Sequence, residues 1–363
     1  MRAAVLPLLL LLLTACTPRP TLAPAEPGAV VGDTLPLFIA SNRLPGPDGP
    51  SDLRSPILTF ERLEIAIPPD RAPGTITTPR HRAGDPATDF LVVDRDALSR
   101  GQAFRRALSA RLRQLPPAER DVLIYVHGFN QTFADGVLRM AQLTHDLQLK
   151  GAALHFSWPS AANPFAYAYD RDSTLYSRDA LEEVIALADV PEARRVAIIA
   201  HSMGALLTME SLRQMAIARP GSVAREVDGV ILISPDIDVE VFRTQAEKIG
   251  KLPRTFAVFL SDRDRALGLS ARLTGQRTRL GNLDDPGALD GLAVALVDVS
   301  AFSEGTGHFT AGTSPQLLSI LANAVAVDNA FAGDAAGRSG LLPGTIISVQ
   351  NVTEFVLTAG TNR

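Results

Sequence analysis

The order of apolar and polar positions divides the chain into four stretches. Ala3 to Leu13 is apolar, with Leu8 to Leu13 unbroken. From Thr17 to Asp33 that pattern gives way to Pro18, Pro20, Pro24 and Pro27, with little that can pack, which reads as a tether. Short β-branched and aromatic runs follow at Leu35–Ala40, Ile57–Ile67 and Phe90–Val93, then a helical stripe in Ala103–Leu115 ended by Pro116-Pro117. From Asp121 the period alternates. Apolar runs at Val122–Val126, Ala152–Trp158, Val196–Ala200, Val230–Ser234, Phe256–Leu260 and Val294–Val299 predict buried strands. Helical patterns lie at Asp135–Leu149, Thr174–Ala188, Gly204–Ala218, Val239–Ile249 and Pro315–Val327. Such alternation predicts an α/β fold: a mostly parallel central sheet with helices on both faces. Thr345–Val349 and Glu354–Leu357 form a possible terminal hairpin.

Composition narrows the function. With 46% hydrophobic and 20% charged residues in 363, the chain is too apolar for a disordered protein. Its net charge is -4 with no Lys/Arg block, which removes the electrostatic footprint of a nucleic-acid binder. Ala3–Leu13 is too short to span a bilayer and reads as the core of a signal peptide. Cys16 is the only cysteine, so no intramolecular disulfide forms. Leu13-Thr14-Ala15-Cys16 resembles the lipobox of bacterial lipoproteins. That resemblance implies cleavage before Cys16 and acylation of Cys16. Thr17 in the next position implies an outer-membrane anchor facing the periplasm. The expected organisation is signal peptide 1–15, tether 16–34, a main α/β domain 35–327 and a C-terminal extension 328–363.

The candidate chemistry sits where strands end. Ala200-His201-Ser202-Met203-Gly204 joins a buried strand to an amphipathic helix. A strand–turn–helix this tight holds the serine in a strained conformation at its tip and needs small residues on either side. Gly204 and Ala200 meet that need, although Ala200 replaces the commoner Gly. His127-Gly128-Phe129-Asn130 follows strand Val122–Val126, where Gly128 lets the backbone turn. Acidic loops follow two later strands, with Asp236 and Asp238 after one and Asp262 and Asp264 after the other. Of the histidines at 81, 127, 145, 155, 201 and 308, only His308 follows all of these acids.

With Ala40-Ser41-Asn42-Arg43, Phe156-Ser157-Trp158-Pro159 and Ser234-Pro235-Asp236-Ile237-Asp238, these motifs resemble a branch of the alpha/beta-hydrolase superfamily. The resemblance spans Leu35 to Val327 and does not specify a substrate. It implies Ser202 as nucleophile, His308 as base and Asp264 as acid, with Asp262 and Asp236 as alternatives. It implies backbone donors at Met203 and at Phe129, with Asn130 as the alternative to Phe129. The expected activity is hydrolysis of a small-molecule carboxylic ester through an acyl-enzyme. A non-catalytic envelope lipoprotein using the same fold, or an amidase or peptidase with the same triad, stays open. No phosphate loop, zinc helix or cysteine cluster occurs, so no cofactor or metal is expected. Asn163–Tyr169, rich in aromatics, is read either as a wall of the acyl pocket or as a surface loop tucking its aromatics onto the core.

Overall fold

The computed structural model describes residues 19–47, 49–79, 82–275, 278–302, 310–315, 317–318, 321, 345–351 and 354–359. Its strands form one sheet of eleven, in the order β11-β10-β9-β8-β7-β6-β4-β5-β1-β2-β3. The strands are β1 (Thr34–Gly46), β2 (Gly49–Ala66), β3 (Leu91–Leu98), β4 (Asp121–Val126), β5 (Ala152–Ser157) and β6 (Arg195–His201). They continue with β7 (Gly229–Ile233), β8 (Thr255–Leu260), β9 (Ala295–Asp298), β10 (Thr345–Asn351) and β11 (Glu354–Ala359). From β1 through β5, β4 and β6 to β10 every pairing is parallel, while β2, β3 and β11 add antiparallel edges.

The apolar runs are continuous because both faces of the sheet are covered. Val122, Ile124 and Val126 of β4 pack with helices α1 (Gly101–Arg113), α4 (Arg178–Ala188), α5 (Met203–Ala218) and α6 (Val239–Ile249). Leu123 and Tyr125 face the other way, against Val137, Leu138 and Leu143 of α2 (Phe133–Asp146). Between these helices runs α3 (Tyr167–Tyr176), and α7 (Arg265–Leu273) follows β8.

Three expectations change. The helix expected at Thr174–Ala188 is two, α3 and α4, broken at buried Ser177, whose Oγ accepts from Asn42 Nδ2 at 2.9 Å. Part of the presumed aromatic loop is thereby the first turn of α3. β1 and β2 also run on as a polar hairpin past the sheet, with Arg43 opposite Arg54 and Pro45 opposite Pro50. Alternation fades there because this part of the hairpin no longer lies between two apolar layers. The Pro-rich stretch, finally, lies against the domain over its described part. The Ala25 N–H donates to Val92 O and the Val92 N–H to Ala23 O, each at 2.8 Å, and Leu22 packs on the α2 face. The terminal strands do pair as a hairpin and join the sheet through β9. Most of Pro315–Val327 lies outside the described residues.

Strand order places the site. From β4 the chain crosses to β5 on one side, and from β6 to β7 on the other. The loops leaving β4 and β6 therefore diverge, opening a crevice at the carboxyl ends of neighbouring strands, where open α/β sheets bind ligands.

Candidate active site

Ser202 stands in that crevice, between the end of β6 and the first turn of α5. Its backbone has φ 54° and ψ -121°, a conformation that costs a non-glycine residue about 1–3 kcal/mol. Neighbouring backbone holds it there. The Ser202 N–H donates to Ile233 O of β7 at 3.0 Å, and Ser202 O accepts from the N–H groups of Ala205 (3.0 Å) and Asp236 (3.2 Å). Gly204 is required by contact, since a Cβ there would overlap the carbonyl oxygens of Val126 and His127. The serine is not exposed at the turn's tip. It is 2% accessible, because the Gly128 turn closes on it and a Cβ at Gly128 would lie 2.9 Å from the Ser202 Cβ.

The turn after β4 is braced from below and from the side. The His127 ring stacks on Trp158 with centroids 4.8 Å apart, and its nitrogens face the carbonyls of Gly128 (2.9 Å) and Trp158 (3.0 Å). Burial, and then the nearby Arg43, hold His127 well below its ordinary pKa, so it is a neutral spacer. Asn130 has φ 58°, and its N–H donates to Asp170 Oδ2 at 3.1 Å. The Asn130 N–H is thereby committed to Asp170. The Phe129 ring meets Tyr167 edge-on at 5.6 Å. Met203 opens α5, where N–H groups have no acceptor inside the helix and the helix dipole favours negative charge.

Two buried charged residues that sequence reasoning left without a role do much of the bracing. Arg43 is fully buried, and its fork donates to Ser157 Oγ (2.9 Å), Ser160 O (3.1 Å), Asp52 Oδ1 (3.0 Å) and Gln131 O (2.8 Å). It ties the β1–β2 hairpin to the loops after β4 and β5. Burial pushes its pKa down to about 10, so it stays charged at neutral pH. Asp170 of α3 accepts from Ser160 Oγ (2.6 Å) and from the N–H groups of Ala161 (2.7 Å) and Asn130. Burial raises its pKa, and those hydrogen bonds oppose the rise. The signal for Arg43 was an Asn-Arg pair directly after an apolar strand, a polar end that only buried partners stabilise.

The acid candidates separate by surroundings. Asp264 is buried after β8 and caps α7, its Oδ1 accepting from the Leu267 N–H at 3.0 Å. Asp262 is exposed. Asp236 is buried and engaged on both oxygens. Oδ1 accepts from Ser270 Oγ (2.6 Å) and pairs with the buried Arg279 Nε (3.2 Å), and Oδ2 accepts from Tyr167 OH (2.9 Å). Tyr167 thus bridges Phe129 and Asp236, whereas Phe165 points to solvent. His308 and Cys16 lie outside the described residues. Among the described residues, no group of three or more His, Cys, Asp or Glu is placed to hold a metal ion.

Sheet order, crevice and strained serine turn together define an alpha/beta hydrolase. The chain belongs to the family described as "Alpha/beta hydrolase of unknown function (DUF900)", whose model matches residues 101–323. No curated protein matches it. Among solved structures it is similar to an esterase of the archaeon Pyrobaculum calidifontis, at 14% identity over 81% of this chain and 85% of that one, TM-score 0.36. Carboxyl esterase 2 of the mycorrhizal fungus Tuber melanosporum is similar at 14% identity over 86% and 91%, TM-score 0.38. A thermostable carboxylesterase cloned from a metagenomic library is similar at 13% identity over 87% and 92%, TM-score 0.34.

Proposed function

We propose that this protein is a serine hydrolase that cleaves carboxylic esters through an acyl-enzyme, anchored to the cell envelope by lipid on Cys16. The observation that carries the reading is the strained Ser202, locked by Ile233 and Asp236 against Gly128. A fold does not hold a serine in so costly a conformation for packing, because glycine at the same place would be free of the strain.

In the reaction, His308 takes the Ser202 hydroxyl proton as Oγ attacks the ester carbonyl carbon. The N–H groups of Phe129 and Met203 receive the developing oxyanion, and the loss of one such donor typically costs about 3 kcal/mol. Asp264 holds the imidazole in the correct tautomer. The tetrahedral intermediate expels the alcohol, which takes the proton from His308. Water then attacks the acyl-enzyme with His308 as base, releasing the acid and restoring Ser202. The buried and exposed settings of Asp264 and Asp262, and the full engagement of Asp236, support Asp264 as the acid.

The test is to treat the purified protein with a fluorophosphonate and locate the adduct by mass spectrometry. Modification of Ser202 at neutral pH, lost on denaturation, is expected. An unmodified Ser202 in folded protein overturns the reading.

A further inference from the structure

Arg19, in the chain's N-terminal segment, is held by two of the loops around the candidate site. Arg19 Nη1 donates to Asn130 O and Nη2 to Ala162 O, both at 3.0 Å, and Nη2 also reaches Asn130 Oδ1. These partners lie in the turn after β4 and the loop after β5. Downstream, the paired Ala23–Ala25 backbone and the packed Leu22 hold the same segment against the domain. Cys16 is only three residues before Arg19, a span of about 11 Å at full extension. Acyl chains on Cys16 therefore cannot be far from the mouth of the crevice.

The same rim exposes large apolar side chains. Phe165, three residues beyond Ala162, is 94% accessible. Leu269 is 58% accessible, beside Ser270, whose hydroxyl meets Tyr167 and Asp236. Leu53 is 58% accessible, beside Asp52, whose carbonyl accepts from Tyr169 OH. Phe165 and Leu269 sit on the segments that leave β5 and β8, and Leu53 on the arm of β2 that runs past the carboxyl end of the β1–β5 pairing; β1, β5, β4, β6, β7 and β8 are parallel, so all three share the edge that holds Ser202. Water does not favour a fully exposed Phe, whereas aromatic and leucine side chains gain free energy in the boundary between headgroups and acyl chains.

We infer that the crevice mouth docks on the bilayer to which the chain is anchored, with Phe165 and Leu269 in the interface and Arg19 fastening the anchor to the rim. The inference rests on the lipid-anchor reading of Cys16 given above. The substrate class that follows is an amphiphilic ester lying in the membrane, its carbonyl at the headgroup boundary. A soluble metabolite in the periplasm would have no need of a site held this way.

The experiment measures immersion rather than hydrolysis. Full-length lipoprotein carrying Ser202→Ala and Pro164→Cys is given a nitroxide at 164, where Phe165 is retained, and reconstituted into phosphatidylethanolamine/phosphatidylglycerol vesicles. A second protein carries the label through Ile217→Cys, at the far end of α5, where Ile217 is exposed at the amino-end edge of the sheet. The ratio of collisions with oxygen to collisions with an aqueous nickel chelate should be several-fold higher at 164 than at 217. It should drop towards the value at 217 when Phe165→Ser is added. Equal ratios at 164 and 217 overturn the inference, as does an N-terminal peptide whose mass shows no acyl chain on Cys16. Because the protein measured is Ser202→Ala, failure of the hydrolase reading leaves this result intact.

Discussion

Gly128 and Ser202 are in direct backbone-to-side-chain contact, so close that a methyl group on Gly128 would stand 2.9 Å from the Ser202 Cβ. The turn after β4 and the Ser202 turn are thus fitted to each other. Gly128→Ala must move one of them. Activity towards p-nitrophenyl acetate should fall about 100-fold or more, as for the loss of one oxyanion donor. The thermal transition should stay cooperative. Wild-type kcat in the alanine variant would show that the contact has no part in catalysis.

The strain at Ser202 predicts a stability effect opposite in sign to the usual one for glycine. Ser202→Ala and Ser202→Gly should both lose ester hydrolysis. The glycine variant should nevertheless melt at or above the alanine variant, because φ 54° is free for glycine and strained for alanine. Calorimetry of the two variants checks this. A glycine variant that melts clearly below the alanine variant would mean that Ser202 is not strained.

Two buried aspartates should fail in different ways. Asp264→Asn keeps a good helix cap and removes the charge that the proposed mechanism uses to set the base's tautomer, so kcat should drop by about 10⁴ with little change in stability. Asp236→Asn strips Arg279 of its buried counter-ion, which should cost about 3–5 kcal/mol of stability. Chemical denaturation and kcat, measured on both, separate them. A stable but inactive Asp236→Asn beside an active Asp264→Asn would move the acid one strand earlier.

The buried His155 gives a pH dependence of known sign. It is fully buried with Nδ1 3.2 Å from Tyr125 O, and burial lowers its pKa to about 3. The folded state keeps it neutral while the unfolded chain protonates it near pH 6.5. The unfolded state therefore binds more protons between those values, and stability falls as pH drops through that window. The slope from this group is at most about 1.4 kcal/mol per pH unit. His155→Gln should make stability less pH-dependent between pH 7 and pH 5, measured by urea denaturation. An unchanged slope would place the ring in contact with water.

Arg43 should matter to the site although it lies beneath it. Arg43→Lys cannot span Ser157, Ser160 and Gln131 at once, since an ammonium lacks the planar fork. Lower kcat together with a lower Tm is expected, and full activity in the lysine variant would remove Arg43 from the bracing.

Much of this protein was already written in local pattern. The continuous apolar runs and period-3.6 stripes carried the parallel sheet and its helices, because burial on both faces leaves uninterrupted apolar strands such as Val122–Val126. The serine turn was legible because only small residues permit it, and Gly204 against Val126 and His127 shows why. What sequence alone left open was every relationship between distant segments. Whether Asp236 stands alone or paired depended on Arg279, 43 positions later. Arg43 acquired its role from loops that begin more than 80 residues downstream. Whether the stretch from Arg19 to Asp33 floats or docks was decided by Val92 and Asn130. Local periodicity reports which face of an element meets water. Buried charge, loop-to-loop contact and the path of a proline-rich strap depend on partners that only the packed chain brings within 3 Å, which is why tertiary structure had to decide them.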